Sequence, residues 1–210
     1  MSYSQLSQDV FVYNFFDQRP GFYLELGCND GHPRTYSNCL FLEERGWTGI
    51  GIDVDHINEF NSHRKGKGVQ ANLINTPIQQ ILKSNDAPEV IEYLSYDCDQ
   101  ALKKSLEMLD LTQYKFKLIH FEHNDYINHD PDYSGLKESG QKKFLDAGYE
   151  LIVDNLIDGN SRAVEDWFIH PELVKASERK LLRNIFHRDI LSAYGYRYDG
   201  LYHHFNSYFN

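Results

Sequence analysis

Acidic side chains recur at the ends of short apolar runs along this 210-residue chain. Glu25 lies in the run Phe22-Tyr23-Leu24-Glu25-Leu26, just before Asn29 and Asp30. Asp53 ends the run from Thr48, Asp97 ends the run from Glu89, and Glu122, His123 and Asn124 end the run from Phe116. If these runs are parallel strands, their ends meet along one sheet edge, which is where open α/β sheets bind ligands. Carboxylates there can accept hydrogen bonds from hydroxyl groups or serve as general bases, and with an imidazole they can hold Mg²⁺ through oxygen. Asp97, Glu122 and His123 are the candidate catalytic groups, beside Asp99 and Asp125, and Asp97, Asp99 and Glu122 are the candidate metal ligands. A histidine titrates near neutral pH and is the other candidate base. Strand alternation sends Glu122 and His123 to opposite faces unless the strand has already ended. His120 reads as a packed histidine, and His129, Asp130 and Asp132 as a solvated loop.

The segment Glu25-Leu26-Gly27-Cys28-Asn29-Asp30-Gly31 sets glycines at both ends of a sharp bend that leads from a strand towards a helix. Glycine accepts positive φ and lets backbone approach a ligand closely. A dinucleotide fingerprint needs G-x-G-x-x-G, so that a pyrophosphate can sit on the next helix N-terminus. Here the middle glycine is missing and Asp30 stands inside the loop, which disfavours an anionic pyrophosphate and a nicotinamide-dependent oxidoreductase. A zwitterionic amino acid joined to a sulfonium fits better. Asp53, one strand–helix–strand step later, can accept hydrogen bonds from the ribose hydroxyls of an adenosine.

The elements that must carry these groups alternate between strand and helix. Residues 4–17 read as an opening helix ended by Pro20-Gly21. Strands are expected over 22–26, 48–53, 68–72, 89–97, 116–122, 149–154 and 164–169, with helices over 38–45, 100–109 and 136–147. This is the pattern of a mostly parallel sheet with crossover helices. After Pro171 the pattern changes to a charged helix over about 172–193 and a tail carrying Tyr194, Tyr196, Tyr198, Tyr202, Phe205, Tyr208 and Phe209. The expected division is a domain over 1–171 and a helical, aromatic extension over 172–210 packed on it. That tail could cover an acceptor pocket or meet a second subunit in a homodimer.

Acids outnumber Lys plus Arg by 31 to 21, and a net charge of -10 repels phosphate backbones, so nucleic acid is not an expected partner. The basic run His63-Arg64-Lys65-Gly66-Lys67 reads as a solvated turn. Three cysteines with no C-x-x-C pair argue against a disulfide framework or structural zinc and suit a reducing compartment. The N-terminus lacks the basic head and apolar stretch of a signal peptide, and no apolar run reaches the roughly 20 residues that span a bilayer. A soluble, cytoplasmic protein without a membrane partner is expected.

Several motifs, taken in order, resemble the FkbM family of methyltransferases. They are Ser7-Gln8-Asp9, Tyr23-Leu24-Glu25-Leu26-Gly27-Cys28-Asn29-Asp30-Gly31, Ser37-Asn38, Leu42-Glu43, Gly46-Trp47-Thr48-Gly49-Ile50 and Asp53. Downstream follow Tyr93-Leu94-Ser95-Tyr96-Asp97, Phe121-Glu122-His123-Asn124, Gly148-Tyr149 and Glu165-Asp166-Trp167-Phe168, so the resemblance covers roughly 4–171. It implies a Rossmann-like class I methyltransferase fold with helices on both faces of a seven-stranded sheet whose last strand is antiparallel. It also implies methyl transfer from S-adenosylmethionine to a hydroxyl oxygen of a sugar or polyketide-like small molecule. Carried over, Glu25, Gly27, Asn29, Asp30 and Gly31 would hold the methionine and ribose portion, Ser37 and Asn38 would line the same pocket, and Asp53 would bind the ribose. The chain departs from the family after Asp97, where Cys98-Asp99-Gln100-Ala101-Leu102 replaces a Val-Glu-Gly-Ala-Glu-like segment. That departure motivates a second reading, a non-catalytic binding or assembly module that kept the fold.

Overall fold

The computed structural model describes residues 2–179. Seven strands form one sheet: β1 Phe22–Leu26, β2 Thr48–Asp53, β3 Lys67–Gln70, β4 Val90–Tyr96, β5 Lys115–Glu122, β6 Glu150–Ile157 and β7 Ala163–Ile169. Their spatial order is β3-β2-β1-β4-β5-β7-β6. The first five pair in parallel, and β7 lies antiparallel between β5 and β6. Strand order reverses at β1, whose neighbours are β2 and β4, and this switch point brings the carboxyl ends of β1 and β4 together as a ligand crevice.

Among the described residues the α-helices are α1 Gln8–Phe15, α2 Leu40–Glu43, α3 Ile57–His63, α4 Ile78–Ser84, α5 Leu102–Met108 and α6 Leu136–Asp146. Strand alternation feeds two cores. On one face Phe11, Val12 and Phe15 of α1 pack with Leu42, Tyr23, Tyr93 and Trp167; on the other Leu82 of α4, Leu102 of α5 and Phe144 of α6 pack with Leu24, Leu94 and Phe121. The helices therefore cover both faces, as expected for strands that read as nearly continuous apolar runs.

In β2 the sequence Thr-Gly-Ile-Gly-Ile-Asp puts both glycines on one face. A Cβ at Gly49 would lie 2.5 Å from the Tyr23 ring, and one at Gly51 would lie 2.5 Å from the Phe60 ring. The bare position at Gly51 is what lets Phe60 of α3 settle onto the sheet.

Several expectations are corrected by the structure. The opening helix spans only Gln8–Phe15, because the preceding residues fold back onto Asp9, which accepts bonds from the Tyr3 amide (2.7 Å) and Ser4 Oγ (2.9 Å). The helix expected over 38–45 is the single turn α2, and the segment 27–39 before it is a loop. Helices α3 and α4 were not expected. Within the run 63–67, His63, Lys65 and Lys67 are exposed as expected, but Arg64 turns inward with its side chain 0% exposed. Beyond Pro171, Val174 joins the α1 core and Glu178 pairs with Arg19 at 2.6 Å, while the remainder of the expected C-terminal helix and the aromatic tail lie outside the described residues.

Candidate active site

Gly27 ends β1 with φ +75, and a Cβ there would stand 1.8 Å from the Asp97 carbonyl oxygen. No other residue permits this approach between the ends of β1 and β4. The turn is pinned to β2 by bonds from the Gly27 and Cys28 amides to the Ile52 carbonyl and from the Asn29 amide to Asp53 Oδ2 (2.8 Å). A cleft of about 180 Å³ opens beside it, lined by Gly27, Asp53, Asn72, Leu73, Cys98 and Asp99 among others. Val54 and Ile74, both about half exposed, supply apolar surface to the same cleft. The cleft thus offers a flat apolar wall and a carboxylate held in place by the backbone.

The remaining residues expected to hold a cofactor divide into two groups. Glu25 and Ser37 are buried and turned inward: Glu25 accepts bonds from Ser37 Oγ (3.0 Å) and the Asn38 amide (2.8 Å) and pairs with Arg64 at 3.0 Å. Arg64 also donates to Ser37 Oγ at 2.9 Å and pairs with Glu43 at 3.0 Å. Burial works against the Arg64 charge, but Glu25 and Glu43 more than offset it and hold its pKa above the ordinary value. Gly31, with φ +69, lies against the Arg64 and Phe60 side chains. These residues shape the loop and do not line the cleft.

Asn29 and Asp30 are nearer the solvent. Asp30 accepts bonds from Thr35 Oγ1 (2.6 Å) and the His32 amide (2.9 Å), and the Thr35 bond leads in holding its pKa below the usual value. Asn38 reaches a different space, bonding Ser95 Oγ at 2.9 Å.

That second space is a polar cavity of about 220 Å³ beyond the ends of β4, β5 and β7, with Gln8, Asn38, Asp97, Glu122 and Glu165 in its wall. Tyr36, Tyr126 and Arg162 also line it. Arg162 is held by Asp158 and lies over the Tyr126 ring at 4.6 Å. Asp99, in the left-handed region at φ 46, lines both spaces and marks their junction. Asp97 and Glu122 are hydrogen-bonded to each other, and burial pushes both carboxyl groups up, Asp97 more strongly.

The structure separates His123 from this group. Its ring is fully buried, with Nε2 3.2 Å from Asp166 Oδ1 and Nδ1 accepting the Asp125 amide at 3.1 Å, and it does not line the cavity. His120 is packed, stacked on Trp167 with ring centroids 4.0 Å apart, and burial pushes its pKa well below the ordinary value. Among the described residues no three His, Cys, Asp or Glu side chains are grouped to hold a metal ion. Asp97, Asp99 and Glu122 are thus not gathered as a Mg²⁺ centre.

One contact in the cavity wall was not foreseen from the sequence. Gln8 and Glu165 belong to motifs at opposite ends of the family resemblance, and their meeting across 157 positions of sequence becomes visible only in the fold.

No family model and no curated protein matches the sequence. Solved structures do resemble it. A candidate caffeoyl-CoA O-methyltransferase from Staphylococcus aureus aligns with a TM-score of 0.56 at 14% identity, covering 80% of this chain and 84% of that one. An O-methyltransferase from Bacillus cereus in complex with SAH aligns at 0.51 and 12% identity, covering 79% and 80%. CalS11, a TDP-rhamnose 3′-O-methyltransferase of calicheamicin biosynthesis, aligns at 0.50 and 16% identity, covering 79% and 78%. With the strand order and the antiparallel β7, these likenesses show that the chain has the Rossmann-like class I methyltransferase fold.

Proposed function

We propose that this protein is an S-adenosylmethionine-dependent methyltransferase of FkbM type that methylates a hydroxyl group of a small polar acceptor such as a sugar. The observation that carries the reading is the pair of spaces meeting at Asp99 beyond the switch point. One has the apolar wall and fixed carboxylate that suit an adenosine; the other has a polar wall and aromatic residues that suit a polyol. The neighbouring O-methyltransferases, one of them named for a sugar nucleotide, support the same assignment.

The residues of the first cleft fit the cofactor. Asp53 has lone pairs left for ribose hydroxyls after accepting the Asn29 and Asp55 amides, and Val54 and Ile74 offer a surface for the adenine. Gly27 keeps the floor flat where the two strand ends meet, and the acids around the junction favour a cation over a pyrophosphate. When bound, the cofactor supplies a methyl group already activated by its sulfonium. The chain's task is alignment, which by itself accounts for much of the acceleration of such a displacement. Asp97 and Glu122 stand in the wall of the acceptor cavity, where carboxyl oxygens left over from their mutual bond can accept from an acceptor hydroxyl.

Thermal unfolding with S-adenosylmethionine, S-adenosylhomocysteine and NAD tests the assignment. At 100 times its dissociation constant a ligand adds about 2.7 kcal/mol, so the first two should raise Tm visibly and NAD should not. Asp53→Ala should abolish the shift. No shift with either sulfur ligand would discard the reading in favour of a binding or assembly module that kept the fold.

A further inference from the structure

Glu165 opens into the acceptor cavity from β7, the antiparallel strand, and stands opposite Glu122 in the β5–β7 register. Its carboxylate is held from two sides: Gln8 Nε2 of α1 donates to Oε2 at 3.0 Å, and Trp167 Nε1 donates to Oε1. Gln8 is itself fixed, because its Oε1 accepts the Leu6 amide at 2.8 Å. Two donors on different elements thus set the plane of a buried carboxylate and leave each oxygen lone pairs for a ligand. Asp97 and Glu122 are bonded to each other, so each carboxyl group is already engaged by the other. Among the described residues no basic side chain besides Arg162 lines the cavity, and Asp158 occupies that guanidinium.

We propose that Glu165 is the general base of the acceptor cavity, taking the proton of the acceptor hydroxyl as that oxygen attacks the methyl group. This rests on the methyltransferase reading above. In the step, the oxygen–methyl bond forms as the methyl–sulfur bond breaks, the bonding pair returns to sulfur as a neutral thioether, and the hydroxyl proton moves to the Glu165 carboxylate. The balance closes without metal or redox partner. Asp97 and Asp166, acids near Glu165, hinder its ionisation, as does the neighbouring Glu122. His120 Nδ1 lies 3.6 Å from Oε1 but stays neutral through burial and bonds Tyr93 OH. Burial and these acids raise the Glu165 pKa to about 7, where a base is effective at neutral pH.

The test compares the full-length protein with Glu165→Gln and Glu165→Asp. Isotope-edited infrared spectroscopy of the S-adenosylhomocysteine complex should show a carboxyl group titrating near pH 7 that is lost in E165Q. With tritiated S-adenosylmethionine and methyl glycosides as acceptors, kcat should rise through the same pH range. E165Q should lose 10²-fold or more in kcat, keep its KM for S-adenosylmethionine within about twofold, and lose the acidic limb; E165D should keep the limb at a reduced rate. A merely structural Glu165 predicts an unchanged limb in E165Q, and that result overturns the proposal. So does a spectrum in which no carboxyl lost in E165Q titrates between pH 5.5 and 8.5, even if no glycoside is methylated. Failure of the wild-type protein to bind S-adenosylmethionine by calorimetry would instead sink the function assignment itself.

Discussion

At the scale of single residues, Arg64 is the group whose removal the site should tolerate least. It lies between two buried acids, Glu25 and Glu43, and through Ser37 it also holds the loop 27–39. Arg64→Met leaves both carboxylates buried without a partner and should cost about 3–5 kcal/mol in urea unfolding. The triple variant R64M/E25Q/E43Q removes the stranded charges with it and should recover a large part of that loss. Gly27→Ala behaves differently: its Cβ would meet backbone, the Asp97 carbonyl, so no side chain can move aside. It should abolish S-adenosylmethionine binding in calorimetry, because strand ends β1 and β4 must part. Arg64 was hidden in the sequence because its partner Glu25 lies 39 positions away and a basic run resembles a wet surface. His123 misled in the opposite sense, since its partner Asp166 belongs to a strand that returns antiparallel.

At the scale of elements, the bare position at Gly51 of β2 governs how α3 docks. Gly51→Val would drive two methyl groups into the Phe60 ring and should cost about 1–3 kcal/mol of stability by overpacking. Pairing it with Phe60→Leu should return part of that loss, measured as a double-mutant cycle. Strands were the legible elements. β1 and β2 have the bounds that apolar runs and flanking glycines dictate, because a strand buried on both faces writes its own limits into the sequence. Helices α3 and α4, seven residues each, are too short to show a period and were not visible. The loop 27–39 was read as helix in part, since its order comes from tertiary bonds to Glu25 and Asp53.

At the scale of the whole molecule, the cavity acids set how stability depends on pH. Asp97, Glu122 and Glu165 all have raised folded-state pKa values, so the folded protein retains protons that the unfolded chain releases. Their contribution is present in acid and is lost as pH rises through the folded values. For Glu165, moving from the ordinary 4.5 to about 7, the loss is roughly 3 kcal/mol. His120 acts in the other direction below its ordinary value of 6.5, and it is common to wild type and variant. The stability difference between wild type and E165Q should therefore drift against the wild type between pH 4.5 and 7.5 and be flat above. A difference independent of pH would show that Glu165 has an ordinary pKa. The two spaces also draw on different stretches of chain: the cleft is built within residues 27–101, whereas the hairpin tip Asp158–Arg162 and the start of β7 bring Arg162, Val164 and Glu165 to the cavity. Because β7 runs backwards through the sheet, its beginning rather than its end arrives at the ligand edge. The hairpin can therefore change in sequence, and reshape one wall of the cavity, without touching any residue that lines the cleft.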